Sequence, residues 1–169
     1  MLKILSVIPA NCTGCKICTM RCSFFHKKTH SPTASRIYVV QSEPTRRRNS
    51  YVITPITCTQ CGLCMYACPT QGAMKRVART GVIMVTELCT GCGQCLPACP
   101  YGVIFVDPLS RKAIKCDLCD GDPQCAKHCL YDALKYLEPE GATALRRFNV
   151  AEAIGRKELV QITKNPQLY

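Results

Sequence analysis

Short stretches of β-branched and aromatic residues alternate along the chain with polar, turn-forming segments. Arg36–Val40 and Tyr51–Ile56 are of the first kind, and the polar segment Pro44–Asn49 between them predicts the turn of a β-hairpin. Gly81–Thr86 and Val103–Val106 predict two further short strands. The pattern therefore predicts short strands and a hairpin insertion at 36–56.

The segment 141–169 has a different pattern and contains no cysteine. Leu145, Phe148, Ala151 and Ile154 recur at approximately helical spacing, which predicts a helix with one apolar face. Such a face either packs on its own domain or binds a partner. We predict a C-terminal docking tail here.

Cysteine supplies the candidate chemistry, because the sixteen cysteines form four quartets. The first three quartets share the spacing C-x2-C-x2-C-x3-C, whereas the fourth is looser. They are Cys12, Cys15, Cys18, Cys22; Cys58, Cys61, Cys64, Cys68; Cys89, Cys92, Cys95, Cys99; and Cys116, Cys119, Cys125, Cys129. Four thiolates ligate one [4Fe–4S] cluster, and the tight spacing is the bacterial ferredoxin run. The sequence therefore predicts four [4Fe–4S] clusters.

Disulfides and zinc are the rival interpretations of these cysteines. Disulfide frameworks belong to short secreted chains, and Met1–Ala10 leaves no room for a signal peptide before the first cysteine. Zinc sites bring two C-x2-C pairs together across a spacer. Two x2 steps followed by x3 instead wrap one cluster closely, so zinc is most plausible at Cys116–Cys129, whose spacing is least diagnostic.

The second and third quartets belong to an internal repeat, in which CTQCGLCMYACPTQGAM matches CTGCGQCLPACPYGVIF. Glycine inside a quartet allows the backbone to approach a cluster and point N–H groups at its sulfurs. The glycines concerned are Gly14, Gly62, Gly91 and Gly93. Pro69 and Pro100 follow the fourth cysteines and are expected to end short helical turns.

Charge and composition exclude other classes of protein. The formal charge of +11 suggests nucleic-acid binding, but each oxidised cluster with its thiolates carries about −2, which leaves only about +3. No apolar run approaches the roughly 20 residues of a membrane span. With four Phe and no Trp, a large aromatic core is excluded, so metal ligation must supply much of the stability.

Ligand exchange between quartets is expected from two-cluster ferredoxins, where the fourth cysteine of each run ligates the other cluster. The first and fourth quartets flank this inner pair, and we expect this nested arrangement to make them exchange their fourth cysteines in the same way. We name the four predicted ligand sets site A (Cys12, Cys15, Cys18, Cys129), site B (Cys58, Cys61, Cys64, Cys99), site C (Cys89, Cys92, Cys95, Cys68) and site D (Cys116, Cys119, Cys125, Cys22). Local ligation, with each quartet on its own cluster, is the alternative.

This arrangement predicts an α+β fold of two pseudo-symmetric dicluster ferredoxin-like modules. A tetracluster domain would span 1–140, with the docking tail at 141–169. Its inner module would cover about 52–107. Its outer module would combine 1–35 with 108–140, so that the N-terminal and C-terminal segments meet in space.

The chain resembles the four-cluster electron-transfer subunits of the molybdenum and tungsten oxidoreductase superfamily in the stretches NCTGCKICTMRCS, PITCTQCGLCMYACPTQGA, LCTGCGQCLPACPYGVI and KCDLCDGDPQCAKHCLYDAL. These cover about Asn11 to Leu134. The resemblance implies the nested exchange and a bent chain of clusters. There are two departures: Ser23 and Leu130 follow the fourth cysteines where Pro is usual, and the second quartet lacks an insertion that many relatives carry.

The resemblance also implies partners. Without a membrane-anchoring helix, the chain is similar to the small iron–sulfur subunits of tungsten-dependent aldehyde oxidoreductases. It implies a cytoplasmic hetero-oligomer of anaerobic metabolism, with a tungsten- or molybdenum-pterin catalytic subunit and a flavin or NAD subunit or a ferredoxin as second partner. A subunit of a hydrogenase or carbon monoxide dehydrogenase, or a freely diffusing polyferredoxin, is the alternative.

No substrate site is indicated, because the chain has neither a dinucleotide fingerprint nor a nucleophile motif. We therefore expect no catalytic residues and no enzyme activity of its own. His26, His30 and His128 are interpreted as isolated residues, with His128 beside Cys129 as a possible tuning group. Tyr66 and Tyr101 are expected to shield clusters, and Arg46–Arg48 is a solvated turn or a docking site for an acidic partner.

Metal analysis of anaerobically purified protein tests the cluster prediction. We expect about sixteen iron atoms and about sixteen acid-labile sulfides per chain, because four cubanes require four of each. A structural or nucleic-acid-binding module would instead contain zinc and no sulfide.

Overall fold

The chain forms four two-stranded antiparallel ribbons within residues 3–42 and 51–155, which a computed structural model describes. The strands are β1 (Ile4–Val7), β2 (Tyr38–Ser42), β3 (Val52–Ile56), β4 (Met74–Arg76), β5 (Ile83–Val85), β6 (Phe105–Val106), β7 (Ala113–Ile114) and β8 (Leu134–Leu137). The helices are α1 (Ile17–Lys27), α2 (Leu63–Tyr66), α3 (Gln124–Lys127) and α4 (Pro139–Gly155). Two-stranded ribbons are marginally stable alone, so other contacts must hold them together.

The two ends of the described chain meet in one ribbon. β1 pairs with β8 from Ile4↔Leu137 to Val7↔Leu134, and α1 packs against α3. These contacts bring the first and fourth quartets together, as nesting predicts. The other ribbons join neighbours in sequence: β2 with β3, β4 with β5, and β6 with β7. The β6–β7 ribbon crosses the predicted module boundary at 107–108.

Helix α1 carries two cysteines of the first quartet. It begins after Lys16, whose φ is 58°, and ends at Lys27. The next residue, Lys28, has φ 53°, and its N–H donates to the Phe24 carbonyl. Its buried residues are Cys18, Thr19, Cys22 and Ser23. Residues four apart lie on one helix face, about one turn apart along the axis. The two thiols therefore face the interior at successive levels of the helix.

Cysteines form a large share of the core. One cluster of buried side chains joins five of them to Leu5, Ile37, Val82, Val103, Leu118 and Leu134; these five are Cys18, Cys22, Cys58, Cys116 and Cys125. A second cluster joins Cys64 and Cys95 to Met74, Ile83, Ile104 and Ala113. With so few large apolar side chains, the interior depends on what the thiols bind.

Several predicted strand bounds need correction. β2 begins at Tyr38 rather than Arg36, although it pairs with β3 in the register Tyr38↔Ile56. The turn predicted at Pro44–Asn49, with Arg46–Arg48, lies outside the described residues. β5 covers only Ile83–Val85 and β6 only Phe105–Val106, because cysteine loops and turns occupy the rest of the predicted stretches. β1, β4, β7 and β8 were missed by the strand pattern.

The predicted apolar stripe of the tail also differs from the observed one. α4 begins at Pro139, before the predicted boundary at 141. It packs on β1 and β8 through Ala142, Leu145 and Asn149, whose amide donates to the Val7 carbonyl at 2.9 Å. Ala151 is exposed, so it is not part of this face. The side chains of Phe148 and Ile154, and residues 156–169, lie outside the described part.

The loop of the third quartet lies directly against the β6–β7 turn. Gly91 has φ +71°, and a Cβ built there would lie 1.9 Å from the Arg111 carbonyl oxygen. We therefore expect Gly91→Ala to lower the free energy of unfolding by about 3 kcal/mol, because backbone must move to relieve the overlap. Anaerobic thermal unfolding measures the change.

Gly102→Ala is the matched control for this substitution. Gly102 also has a left-handed φ of +60°, but nothing lies within 4 Å of the added Cβ. The only cost is then that of alanine in a left-handed backbone conformation, which lowers the free energy of unfolding by about 1 kcal/mol. Equal destabilisation by both substitutions would contradict the close approach of the two loops.

Candidate metal centres

The four cysteines of site A line one cavity. Three of them come from the loop before α1 and its first turn, and Cys129 comes from the end of the fourth quartet. Val39 of β2, Pro55 of β3 and Leu134 of β8 also line this cavity, so the β2–β3 ribbon covers it. The structure thus brings the fourth cysteine of the last quartet to the first three of the first.

The four cysteines of site B line a second cavity. Here Cys99, from the third quartet, joins the first three cysteines of the second. Burial raises the pKa of Cys58 and of Cys64. The ammonium of Lys115 opposes this rise in pKa, whereas the negative charge of the Cys99 thiolate adds to it. These charge interactions agree with the cavity in grouping Cys99 with the second quartet.

Site D is the most enclosed group, since all four of its cysteines are buried. Burial raises the pKa of Cys116 to about 12 and that of Cys119 to about 11, and it raises the pKa of Cys125 well above the usual value. The negative charge of a Cys22 thiolate adds to all three rises. Cys22 of the first quartet therefore lies near the first three cysteines of the fourth.

Three cysteines of site C lie together. Burial raises the pKa of Cys95 to about 11, and the neighbouring thiolates of Cys64, Cys89 and Cys92 add to the rise. The Cys68 thiol lies 3.5 Å from the Thr70 carbonyl, to which it donates.

Backbone N–H groups point at several of the sulfurs. Such donors stabilise thiolates and tune clusters. Three of these distances are 3.4 Å: from the Gln60 N–H to Cys58 Sγ, from the Leu118 N–H to Cys116 Sγ, and from the Ala113 N–H to Cys89 Sγ. The N–H of Arg36 lies 3.3 Å from Cys22 Sγ. Sites B, C and D each receive at least one donor.

The surroundings of the thiols fit iron–sulfur clusters. All sixteen cysteines are free of disulfides, and burial disfavours the thiolates of those in the interior. Coordination by iron removes the thiol protons and supplies the missing positive charge. Thr57 Oγ1, buried directly before Cys58, has no hydrogen-bond partner in the described chain, which leaves a hydroxyl donor available beside site B.

Left-handed backbone shapes the quartet loops, as the glycine pattern indicates. Gly14, Gly62, Gly91 and Gly93 all have positive φ. α2 carries Cys64, the third cysteine of its quartet, while Cys68 follows the helix. The expected helical turn before Pro69 therefore ends before the fourth cysteine.

A polar network beside site D was missed by the sequence analysis, which treated His26 as isolated. Asp117 accepts a hydrogen bond from Arg36 at 2.5 Å and from the Cys119 N–H at 3.0 Å, and it lies 3.4 Å from His26 Nε2. That ring nitrogen lies 3.8 Å from Cys119 Sγ. Burial lowers the pKa of His26, and the Arg36 charge lowers it further. Only the fold brings these distant residues together.

The other polar predictions had mixed outcomes. Tyr101 lines the site B cavity, whereas Tyr66 is 83% exposed, so shielding by Tyr66 was wrong. His128 lies 2.6 Å from the Arg21 guanidinium and 2.9 Å from the Gln124 carbonyl. It connects α1 and the end of α3 directly before Cys129. His30 stacks on Phe24, with ring centroids 4.9 Å apart.

Two 4Fe-4S dicluster domain families match the chain, one at residues 11–72 and one at residues 50–104. Neither match reaches the fourth quartet. The aliphatic sulfonate oxidoreductase, polyferredoxin-like subunit, of Pyrococcus furiosus is 37% identical over 135 residues, which cover 76% of this chain and 74% of that protein. Subunit beta of the NADH-dependent phenylglyoxylate dehydrogenase of Aromatoleum evansii is 32% identical over 132 residues, 76% of this chain but 29% of that protein.

Two further similarities were found. The Haemophilus influenzae protein NrfC homolog is 29% identical over 170 residues, 94% of this chain and 74% of that protein. Among solved structures, a chain of the active site complex BamBC of benzoyl coenzyme A reductase gives a TM-score of 0.44 at 22% identity, over 96% of this chain and 98% of that chain.

No helix in the described ranges is long and apolar enough to cross a membrane. Two dicluster domains and sixteen cysteines provide for up to four [4Fe–4S] clusters. The chain thus belongs to the family of polyferredoxin-like iron–sulfur electron-transfer subunits that contain 4Fe-4S dicluster domains.

Proposed function

We propose that the chain conducts electrons along four [4Fe–4S] clusters between a catalytic oxidoreductase subunit and a second redox partner. The observation that carries this proposal is the three-plus-one grouping of cysteines around the cavities of sites A and B. When bound, a [4Fe–4S] cluster takes up and gives up one electron at a time. The chain itself supplies thiolate ligands, N–H donors to sulfur and an enclosed interior.

The nested partition into sites A to D is the ligand assignment we propose. Two cavities support sites A and B, and the charge of Cys22 beside three buried thiols supports site D. Helix α1 gives a physical reason for the split of the first quartet. Cys22 lies one turn beyond Cys18 on the same face, so it extends toward α3, which carries Cys125.

The contacts between sites favour the electron path A–D–B–C. A Cys18 thiolate raises the pKa of Cys125, which links sites A and D. A Cys58 thiolate raises the pKa of Cys116, which links D and B, and a Cys64 thiolate raises that of Cys95, which links B and C. The burial of all four cysteines of site D agrees with an internal position in this path.

Exposed apolar side chains lie next to both proposed ends. Leu130 and Tyr131, which follow Cys129, are 74% and 51% exposed, and Leu88, which precedes Cys89, is 60% exposed. Exposed apolar surface is typical of protein contact sites. These positions favour a bound subunit over a freely diffusing polyferredoxin, because a carrier gains little from apolar surface at both ends.

The family resemblance favours a tungsten- or molybdenum-pterin catalytic partner, with a flavin or NAD subunit or a ferredoxin at the other end. Hydrogenase or carbon monoxide dehydrogenase complexes are the alternative. The tetracluster domain 1–140, its two modules and the docking tail at 141–169 belong to the same proposal. A cytoplasmic location suits sixteen cysteines without disulfides.

Anaerobic purification from the native source tests the subunit proposal. We expect the chain to co-elute with a larger redox protein at a fixed ratio, and to stay bound in moderate salt, because apolar contacts are not screened by ions. Elution as a lone monomer carrying its clusters would instead support the diffusing polyferredoxin.

Reciprocal substitutions test the proposed exchange of ligands. Cys68→Ser should alter the electron paramagnetic resonance signal and potential of site C, while Cys99→Ser should alter those of site B, because each replaces a sulfur ligand by oxygen at the site of the other quartet. If Cys68→Ser disturbed the cluster held by Cys58, Cys61 and Cys64 instead, ligation would be local.

A further inference from the structure

Lys115 is a buried cation in the wall of site B. Its side chain belongs to a residue that is 3% exposed, and no other lysine or arginine in the described ranges is buried. It follows β7 and directly precedes Cys116 of site D. A charge at this position lies between two neighbouring cluster sites.

The hydrogen bonds of Lys115 require its charged form. Nζ lies 2.6 Å from the Ile83 carbonyl, 2.8 Å from the Cys116 carbonyl and 2.9 Å from Gln60 Oε1. All three partners accept, so the nitrogen must donate three hydrogens, which only an ammonium group has. The orientation of the Gln60 amide is fixed, because Oε1 also accepts from the Ile83 N–H and Nε2 donates to the Cys116 carbonyl.

Gln60 has a left-handed backbone conformation in the loop of the second quartet. The third residue of the C-x2-C step is Gly14 in the first quartet and Gly91 in the third, with φ of 76° and 71°. Gln60 occupies the same position with φ 58°, a conformation that favours glycine. The side chain that holds the lysine therefore belongs to a residue in an unfavourable backbone conformation, as does Leu118 at the same position of the fourth quartet, with φ 53°.

No carboxylate neutralises this ammonium, since no salt bridge of the described residues includes Lys115. A buried charge without a counter-charge is strongly unfavourable. The groups that face it are the thiols of site B, because Lys115 lines the same cavity as the four cysteines of that site. The anion that balances Lys115 is thus the thiolate-bound centre of this site.

We propose that Lys115, held in place by Gln60, raises the reduction potential of the cluster at site B relative to a site without this charge. The proposal rests on the proposed function, and it deepens it by assigning a tuning residue to one position of the path. Added negative charge on a cluster is stabilised by a fixed cation in a low-dielectric interior. In the path A–D–B–C, Lys115 would make site B a preferred resting position for an electron.

Redox titration of the anaerobic, fully loaded chain, followed by electron paramagnetic resonance, tests this proposal. Lys115→Met removes the charge at similar length. At the midpoint potential of the wild-type cluster, we expect the ratio of reduced to oxidised cluster at site B to fall about tenfold. For a one-electron couple this is a reduction potential lower by about 59 mV. Cys61→Ser, an exposed ligand position, identifies the signal of site B.

Lys75→Met is the matched control, because it removes the same charge from an exposed position on β4. It should leave the site B ratio within about twofold, since solvent screens an exposed charge. An equal shift in both variants, an equal shift at all four sites, or no shift at site B in Lys115→Met would each overturn the proposal.

Gln60→Glu gives an independent measurement if Lys115→Met fails to fold or to bind clusters. The carboxylate retains an acceptor for the ammonium and neutralises it in place, so the site B potential should again fall. An unchanged potential in Gln60→Glu would overturn the role of Lys115 while leaving the four-cluster function intact. Zinc without sulfide in the unmodified protein would instead contradict the proposed function.

Discussion

The structure depends on the burial of thiols that must become thiolates. Cys116 and Cys125 lie deep in the interior, where the charged form is disfavoured, and burial raises the pKa of Cys116 to about 12. Iron ligation resolves this conflict, because it replaces each proton by a bond to a cation. The apolar residues around them, such as Ile37 and Val82, are too few to specify a core alone. Ribbons of two strands gain their order from the centres they enclose.

The same constraint connects folding to conduction. α1 presents Cys18 and Cys22 at successive turns, so in the proposed partition one rigid element contributes to two neighbouring sites. The β1–β8 ribbon fixes the first and last quartets together, and the loop containing Gly91 rests on the β6–β7 turn. Elements that hold the chain together are therefore also the elements that set the distances between redox centres.

The local geometry of the quartet loops followed from the sequence better than the framework between them did, while the ligand sets stay a prediction. Cysteine spacing and left-handed glycines such as Gly62 reflect local geometry, which a single chain segment determines. β1 and β8 were missed because each is short and exists only through pairing with a segment far away in sequence. The buried face of α4 includes Ala142, which the predicted stripe did not contain. Packing on β1, rather than helical spacing alone, decides which side of the helix is buried. Lys115 gave no signal, since its burial and its three acceptors arise from tertiary contacts.

Iron anomalous scattering from an anaerobic crystal tests the central claim most directly. The account predicts four separate iron-rich peaks, each bonded to one of the four mixed cysteine sets and arranged in the order A, D, B, C. Four peaks that each lie within a single quartet, or single-metal peaks in place of clusters, would contradict it.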